Sequence, residues 1–259
     1  MTADRIRVLV VGCGNMGTSH ARAYQRLDGV AVAGVVSRGP ESRNRLAAEL
    51  GGVPAYGDVE EALAATAPDA VSVNTWPATH AHFALAALRR GAHVFVEKPL
   101  GTTLKDAETV VGTAKECGCK VGVGYILHHH PSWVKFVELA RTLGKPLVMR
   151  MNLNQQSRGS EWATHRNLMQ SMSPVVDCGV HYVDIMCRMT GARPTHVHAM
   201  GARLTDEVDA GMYNYGQLQV RFDDGSCGWY EAGWGPMMSE TAYFVKDVIG
   251  PRGAVSIVD

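Results

Sequence analysis

Residues 6–17 read IRVLVVGCGNMG, and no other stretch constrains the fold as much. A short β-branched run without polar alternation is a strand buried on both faces. It passes directly into glycines at 12, 14 and 17, in the G-x-G-x-x-G spacing, and then into the helical stretch that ends near Leu27. A strand buried on both faces needs helices on both sides, so further strand–helix units must follow.

They do. VAVAGVVS (30–37) reads as a second strand, and PESRNRLAAELG as a helix closed by Gly51 and Gly52. DVEEALAATAP is a helix and DAVSVNT (69–75) a strand; THAHFALAALRRG (79–91) is a helix stopped by Gly91. It leads into HVFVEKP, then the helix LKDAETVVGTAKECG and the strand KVGVGY (120–125). Strands alternating with helices of this length predict right-handed βαβ units and a parallel sheet.

In that context the glycines acquire a role. Gly12 makes the tight turn, Gly14 lets a pyrophosphate approach the backbone, and Gly17 packs helix on strand. Asn15 and Met16 open the helix, whose first amides and partial positive charge suit an anion. A carboxylate at the end of the second strand would bind an adenosine ribose and favour NAD. This chain has Ser37-Arg38 there, with Arg43 and Arg45 nearby. A hydroxyl and a guanidinium suit a 2′-phosphate, so NADP is the preferred cofactor and NAD the alternative. An Arg38 stacked on adenine would be compatible with either.

After Tyr125 the pattern changes. An amphipathic helix carries Trp133, Phe136, Val137 and Ala140 on one face. PLVMRMNLNQ is a strand with an alternating polar face, and a long polar loop is expected from Gln155 to Met172. One helix is expected over 173–190, with Ser173 as N-cap, Pro174 in its first turn and Gly191 as its stop. The rest is strand-like: THVHAMGARL, YNYGQLQVRF, CGWYEAGW, and TAYFVKDVIG turning at Pro251 into AVSIVD. Turns at Asp224-Gly225 and Gly250-Pro251 predict antiparallel neighbours. The expected organisation is α/β: a Rossmann dinucleotide-binding domain over 1–124, and over 125–259 an α+β domain with a large, mostly antiparallel, open-faced sheet.

On the 173–190 helix, Asp177 and His181 stand four apart and share a face, with Asp184 one turn beyond His181 and Gly179 leaving room. A carboxylate beside a histidine raises its basicity and fixes its orientation, which suits acid–base work near neutral pH. The same spacing also occurs in ordinary helix pairs.

Together these pieces resemble the glucose–fructose oxidoreductase / inositol dehydrogenase / MocA (Gfo/Idh/MocA) family. VVGCGNMGTSHARAY looks like its dinucleotide fingerprint, with His20 in a familiar place. NTWPATHAHFALAALRRGAHVFVEKPLG looks like its block ending in Glu-Lys-Pro, and VVDCGVHYVDIM like its Asp-x-Gly-x-His-x-x-Asp helix. DVIGPRGAVSI resembles a late strand–turn–strand. The resemblance implies hydride transfer between nicotinamide and a secondary alcohol or ketone of a sugar or cyclitol. It makes Lys98 the active-site lysine, Glu97 a neighbour of the cofactor, and the peptide before Pro99 often cis.

His181 is then the expected acid/base, and Asp177 orients it or holds a substrate hydroxyl. The cofactor set expected is Gly12, Gly14, Asn15, Met16, Gly17, Ser37, Arg38, Thr75, His80, Glu97 and Lys98. The substrate set is Lys98, Tyr125, Asn154, Trp162, Asp177 and His181. Asn152, Gln155, Gln156, His165 and Arg166 are further polar candidates by position alone.

Three departures from the family pattern stand out, one being Ser37-Arg38 in place of an acidic ribose-binding residue. ILHHHPSW follows Tyr125 where an arginine-bearing stretch is common. Three consecutive histidines cannot all face one ion, and no cysteine or carboxylate stands at ligand spacing, so no metal is expected. The chain also stops at AVSIVD, where relatives usually run on for several more strands and a helix, so either this is a short member with a C-terminally short second domain or a further C-terminal part follows. An uncovered edge strand favours association, and the resemblance implies a homo-dimer or homo-tetramer.

Composition bounds the rest. Formal net charge is zero over 259 residues and the charges are scattered, so neither nucleic acid nor an anionic membrane is an expected partner. No apolar run reaches membrane-spanning length, and the N-terminus does not read as a signal peptide. Six irregularly spaced cysteines in a chain of this size fit reduced thiols and a cytoplasmic location. Two rival functions are a glycosidase that keeps its dinucleotide and works by transient oxidation, and a non-catalytic dinucleotide sensor. The acid/base set of Lys98, Asp177 and His181 argues against the sensor.

Overall fold

Burial of Val8 through Val11 on both faces of β1 (Ile6–Val11) organises the N-terminal half. The computed structural model describes residues 5–239 and 244–258, and the chain divides into two units, Met1–Gly124 and Tyr125–Asp259.

In the first unit β1 is followed by α1 (Asn15–Gln25), β2 (Val30–Val36), α2 (Pro40–Glu49), β3 (Ala55–Tyr56) and α3 (Val59–Thr66). Then come β4 (Ala70–Val73), α4 (His80–Leu88), β5 (His93–Val96), α5 (Leu104–Glu116) and β6 (Val121–Val123). Local chemistry sets the helix starts. Pro40 occupies the first turn of α2. The side chain of Asp58 accepts from Glu61 N at 2.9 Å, and that of Thr103 from Asp106 N at 3.1 Å, each satisfying an amide with no partner in the first turn.

The six strands lie in the order β3-β2-β1-β4-β5-β6, and every pairing is parallel. Side chains alternate across β1. Leu9 and Val11 pack with Leu63 of α3, Leu88 of α4 and Val110 of α5, while Val8 and Val10 pack with Ala21 of α1 and Leu46 of α2. The strand order reverses between β1 and β4, and the crevice beyond the strand C-termini there is where such sheets bind ligands. The two-residue strand β3 has too short an apolar run to be read from sequence; it pairs with Val35 and Val36.

The second unit contains α6 (Pro131–Ala140), β7 (Val148–Gln156), α7 (Gly159–Leu168), α8 (Pro174–Asp177) and α9 (Gly179–Thr190). These precede β8 (Pro194–Ala202), β9 (Tyr215–Phe222), β10 (Cys227–Gly235), β11 (Lys246–Gly250) and β12 (Gly253–Ser256). The sheet order is β12-β11-β7-β10-β9-β8. β7 and β10 run parallel, and the other pairs are antiparallel. Met149 and Met151 of β7 and Tyr230 of β10 join Trp133, Phe136, Ile185 and Met186 in one core, so the helices cover a single face. Among the described residues no helix is long and apolar enough to cross a membrane.

The structure changes three sequence expectations. The segment 155–172 is not a loop: Gln155 and Gln156 finish β7, and α7 follows. Its polar composition conceals Trp162, His165 and Met169, all buried, at spacings of three and four that define one helix face. The helix expected over 173–190 is two, α8 and α9. Cys178 N reaches Pro174 O four residues back at 3.0 Å, whereas His181 N reaches Cys178 O three back at 3.1 Å. The break falls at Cys178, just before Gly179, where an added Cβ would stand 3.1 Å from Cε1 of the buried Tyr230 ring. Lastly, residues 241–243 of the strand expected from TAYFVKDVIG lie outside the described residues, and β11 begins at Lys246.

Candidate active site

The glycine turn is the tightest point of the first unit. Gly12 has φ 98°, and a Cβ there would lie 2.5 Å from Asn74 O. At Gly17 a Cβ would lie 1.7 Å from Gly12 O, whereas at Gly14 it would meet nothing within 4 Å. Gly12 and Gly17 are therefore required by the fold, and Gly14 leaves backbone open to a ligand. Gly14 is the N-cap of α1 and supplies no side-chain cap, and Asn15 and Met16 are exposed. The first amides of α1 and its positive dipole end suit a pyrophosphate, so the loop fits a dinucleotide.

At the end of β2, Arg43 Nη1 donates to Ser37 O at 2.9 Å and to Arg38 O at 3.0 Å. Arg43 is thus committed to shaping the turn, while Arg38 and Arg45 are exposed. At the end of β4, Thr75 Oγ1 and Thr79 Oγ1 are 2.7 Å apart. His80 is buried with both ring nitrogens directed at backbone carbonyls, so it holds the loop and offers a ligand no nitrogen.

β5 delivers Glu97, Lys98 and Pro99, and the Lys98–Pro99 peptide is cis. The Glu97 carboxylate meets His20 Nε2 at 2.7 Å and accepts from Lys98 N at 3.3 Å. Burial opposes its ionisation. The hydrogen bond and charge of His20, the Lys98 amide and the Lys98 ammonium outweigh that and hold the carboxyl below the usual range. The His20 ring lies 4.9 Å from that of Phe95, tilted by 53°, which seats α1 against β5.

The second unit carries Asp177, His181 and Tyr125. Asp177 is buried at the end of α8, and the Cys178 thiol lies 3.8 Å from its Oδ2. Tyr125 meets the His181 ring edge-on at 6.1 Å and stacks on His128 at 5.5 Å. His128 Nε2 makes a short hydrogen bond with Asp184 Oδ2, so one histidine of the triplet turns inward while His129 and His130 are exposed. Burial, then the Asp184 charge, pushes the Tyr125 hydroxyl up, so it is a neutral phenol at physiological pH.

Two models of known families match the chain. One, described as an oxidoreductase family with an NAD-binding Rossmann fold, spans residues 6–125, and the other, the Gfo/Idh/MocA C-terminal domain, spans 138–255. The chain belongs to the Gfo/Idh/MocA oxidoreductase family.

Its similarity to individual Gfo/Idh/MocA proteins is moderate and long. The scyllo-inositol 2-dehydrogenase (NAD(+)) of Bacillus subtilis is 28% identical over 98% of this chain and 74% of its own length. The UDP-N-acetylglucosamine 3-dehydrogenase of Acidithiobacillus ferrooxidans is 29% identical over 79% of this chain and 61% of its own length. This chain thus spans less than two thirds of that relative. The crystal structure of GenD2 from gentamicin A biosynthesis in complex with NAD superposes with a TM-score of 0.86 at 26% identity, over 99% of this chain and 73% of that one.

Within this Gfo/Idh/MocA chain, two residues expected at the substrate have side-chain partners inside the second unit. Asn154 alternates with Met149 and Met151 on β7, so it points to the sheet face opposite the helices, where its amide donates to Glu231. Asn152 shares that face, and Val245 N donates to its Oδ1 at 2.9 Å. Trp162 belongs to the core and donates its indole N–H to Glu207 at 3.2 Å. Glu207 also holds Arg166, at 2.6 Å. On the helix side of β7 the amide is Gln155, which accepts from Trp234 Nε1 at 2.8 Å. Gln156 donates to Met238 O at 2.8 Å.

His165, a polar substrate candidate by position in the sequence, is buried. Its ring lies 4.3 Å from that of Trp234 at an interplanar angle of 6°, and Nδ1 is 2.9 Å from Ser157 Oγ. Burial lowers its pKa, and the charges of Glu161 and Asp177 oppose that only in part. It is a neutral imidazole under the field of Asp177. The sequence signal for its burial is the three-residue step from Trp162.

Proposed function

We propose that this protein catalyses reversible hydride transfer between a nicotinamide dinucleotide and a secondary alcohol or ketone of a sugar or cyclitol. The observation that carries the reading is the open backbone at Gly14, set between two glycines the fold cannot replace, on the same sheet that presents Lys98 at the end of β5. Gly12, Gly14, Asn15, Met16 and Gly17 would hold the pyrophosphate, Thr75 and Glu97 would flank the cofactor, and Ser37 and Arg38 would receive a 2′-phosphate. A dinucleotide held by these residues would supply the hydride chemistry at the carbinol carbon.

The protein's own groups manage the oxygen and its proton. Lys98 is assigned to the reacting oxygen, whose developing negative charge its ammonium stabilises. His181 accepts the hydroxyl proton as the C=O bond forms and returns it in reduction. Asp177 orients His181 or binds a neighbouring hydroxyl. Tyr125, kept neutral, can donate a hydrogen bond to a polyol. NADP is the preferred cofactor because a guanidinium and a hydroxyl stand where a ribose-binding carboxylate would favour NAD. The sugar and inositol dehydrogenases among the relatives support the substrate class. The edge strand β8, exposed along nearly its whole length, supports assembly into a homo-oligomer.

Calorimetric titration with NADPH and NADH, followed by a screen of sugar and cyclitol ketones, tests the reading. Lys98→Met and His181→Ala should each lower turnover by about 100-fold or more while dinucleotide affinity stays within about twofold. Full turnover in both variants would remove these roles.

A further inference from the structure

The imidazole of His80 is 1% exposed and sits between two backbone carbonyls. Nδ1 lies 2.7 Å from Pro99 O, and Nε2 lies 2.9 Å from Thr75 O. A carbonyl oxygen carries no proton and only accepts. A neutral imidazole has one N–H. It would satisfy one carbonyl and set a bare nitrogen lone pair against the other.

Turning the ring over does not resolve this. Each nitrogen would exchange with a carbon, and the C–H groups would sit near 2.7 and 2.9 Å from oxygen. Such contacts settle at about 3.3–3.6 Å. The form that satisfies both carbonyls is the imidazolium, with an N–H on each side.

We infer that His80 is held as a buried, doubly donating imidazolium, and that it is a positioning residue for Lys98. One arm holds Thr75 at the end of β4. The other holds Pro99, the residue after Lys98. Through them the cation fixes the distance between two strand ends, and with it the place of the lysine. Charge-assisted bonds are roughly twice as strong as neutral ones, and a buried charge persists only where its N–H groups are hydrogen-bonded. The ionisable groups on the elements packed against α4 are Glu60 and Glu61 of α3, Lys105, Asp106, Glu108, Lys115 and Glu116 of α5, His93 of β5, and Glu97 and Lys98 beyond it. Glu60 pairs with Arg90, Glu97 with His20, and Asp106 accepts from Thr103, so the carbonyls are the partners that define the site. The positioning role rests on the reading of Lys98 as an active-site residue; the protonation state does not.

The two parts are tested separately. Long-range proton–nitrogen correlation spectra of the full chain, labelled with nitrogen-15, report both nitrogens of each of its eleven histidines. At about pH 8 exposed histidines, with an ordinary value near 6.5, are neutral. One histidine should keep both nitrogens protonated there, and its signals should vanish in His80→Asn. A native spectrum in which every histidine has one bare nitrogen overturns the cation, and needs no variant. For positioning, an Asn amide nitrogen falls near imidazole Nδ1 and a Gln one near Nε2. His80→Gln should lower kcat about 100-fold, and His80→Asn, which keeps the Pro99 arm, should recover most of it, with equal dinucleotide affinity in both. Equal kcat losses overturn the positioning role. A native protein that turns over no polyol would sink the proposed function and leave the spectra to decide on His80.

Discussion

His20 Nε2 lies 2.7 Å from Glu97 Oε1, which ties the helix opened by the glycine turn to the strand end that carries Lys98. A Cβ at Gly124 would come within 2.9 Å of Glu97 Oε2, so the backbone leaves the carboxylate just enough room. Because Glu97 titrates below its unfolded value near 4.3, it stabilises the native state above that value, and the contribution is lost as pH falls through the depressed folded value. Glu97→Gln should lower stability at pH 7 by about 2 kcal/mol and flatten the loss of stability below about pH 5. Urea unfolding across that range reads both effects. Parallel native and variant curves would show that Glu97 is not linked to the acid limb.

The three glycines should separate by experiment. Gly17→Ala drives a methyl into Gly12 O and should cost several kcal/mol or prevent folding, roughly as overpacking against rigid backbone does. Gly14→Ala meets nothing in the protein and should leave the thermal midpoint within about 2 °C. Its dinucleotide affinity should still fall about tenfold or more, because the methyl occupies the surface that a pyrophosphate would approach. An unchanged Kd would mean that the ligand does not use this turn.

Arg38 and Arg43 should likewise part company. Arg43→Ala removes the two bonds that shape the turn after β2 and should weaken NADP and NAD together. Arg38→Ala should weaken NADP by about 100-fold and NAD by little, since a guanidinium–phosphate contact is worth roughly 1.5–3 kcal/mol. Equal losses for the two cofactors in Arg38→Ala would make it a bystander.

The first unit was largely legible in the sequence because its information is local. Buried strands of a parallel sheet are short unbroken apolar runs, and glycine or proline punctuates each helix. In the second unit the deciding contacts are long-range. The polar stretch around Trp162 becomes a helix because its buried side chains meet Val208 and Trp234, more than 40 residues away. Asn154 looked substrate-facing because alternation gives two faces and does not say which one the helices cover. The candidate site divides the same way. The glycines and Lys98 are marked by strand ends, whereas the His80 clamp and the His165–Trp234 stack exist only once strands and loops have met.

The face assignment on β7 carries its own consequence. Asn154 donates to Glu231 on the face away from α8 and α9, and Gln155 lies on the helix side, bonded to Trp234. Asn154→Ala should leave kcat and KM within about twofold, whereas Gln155→Ala should free the indole and lower kcat/KM about tenfold. Steady-state kinetics on one accepted polyol decides. A larger loss in Asn154→Ala would reverse the assignment.

His165 gives the sharpest pH test. Burial keeps its folded pKa below the unfolded value near 6.5, so the native state binds fewer protons there than the unfolded chain. The stability tied to the neutral ring is complete above about pH 6.5 and is lost as pH falls through the folded value. His165→Phe keeps an aromatic face on Trp234 but drops the bond to Ser157, which is itself buried. At pH 7.5 the variant should be about 1 kcal/mol less stable. Phenylalanine has no proton to refuse, so the gap should narrow as pH falls from about 7 to 5. Thermal midpoints of both proteins across that range suffice, and a gap that widens toward acid would mean that His165 is protonated in the folded protein and that Asp177 is its counter-ion.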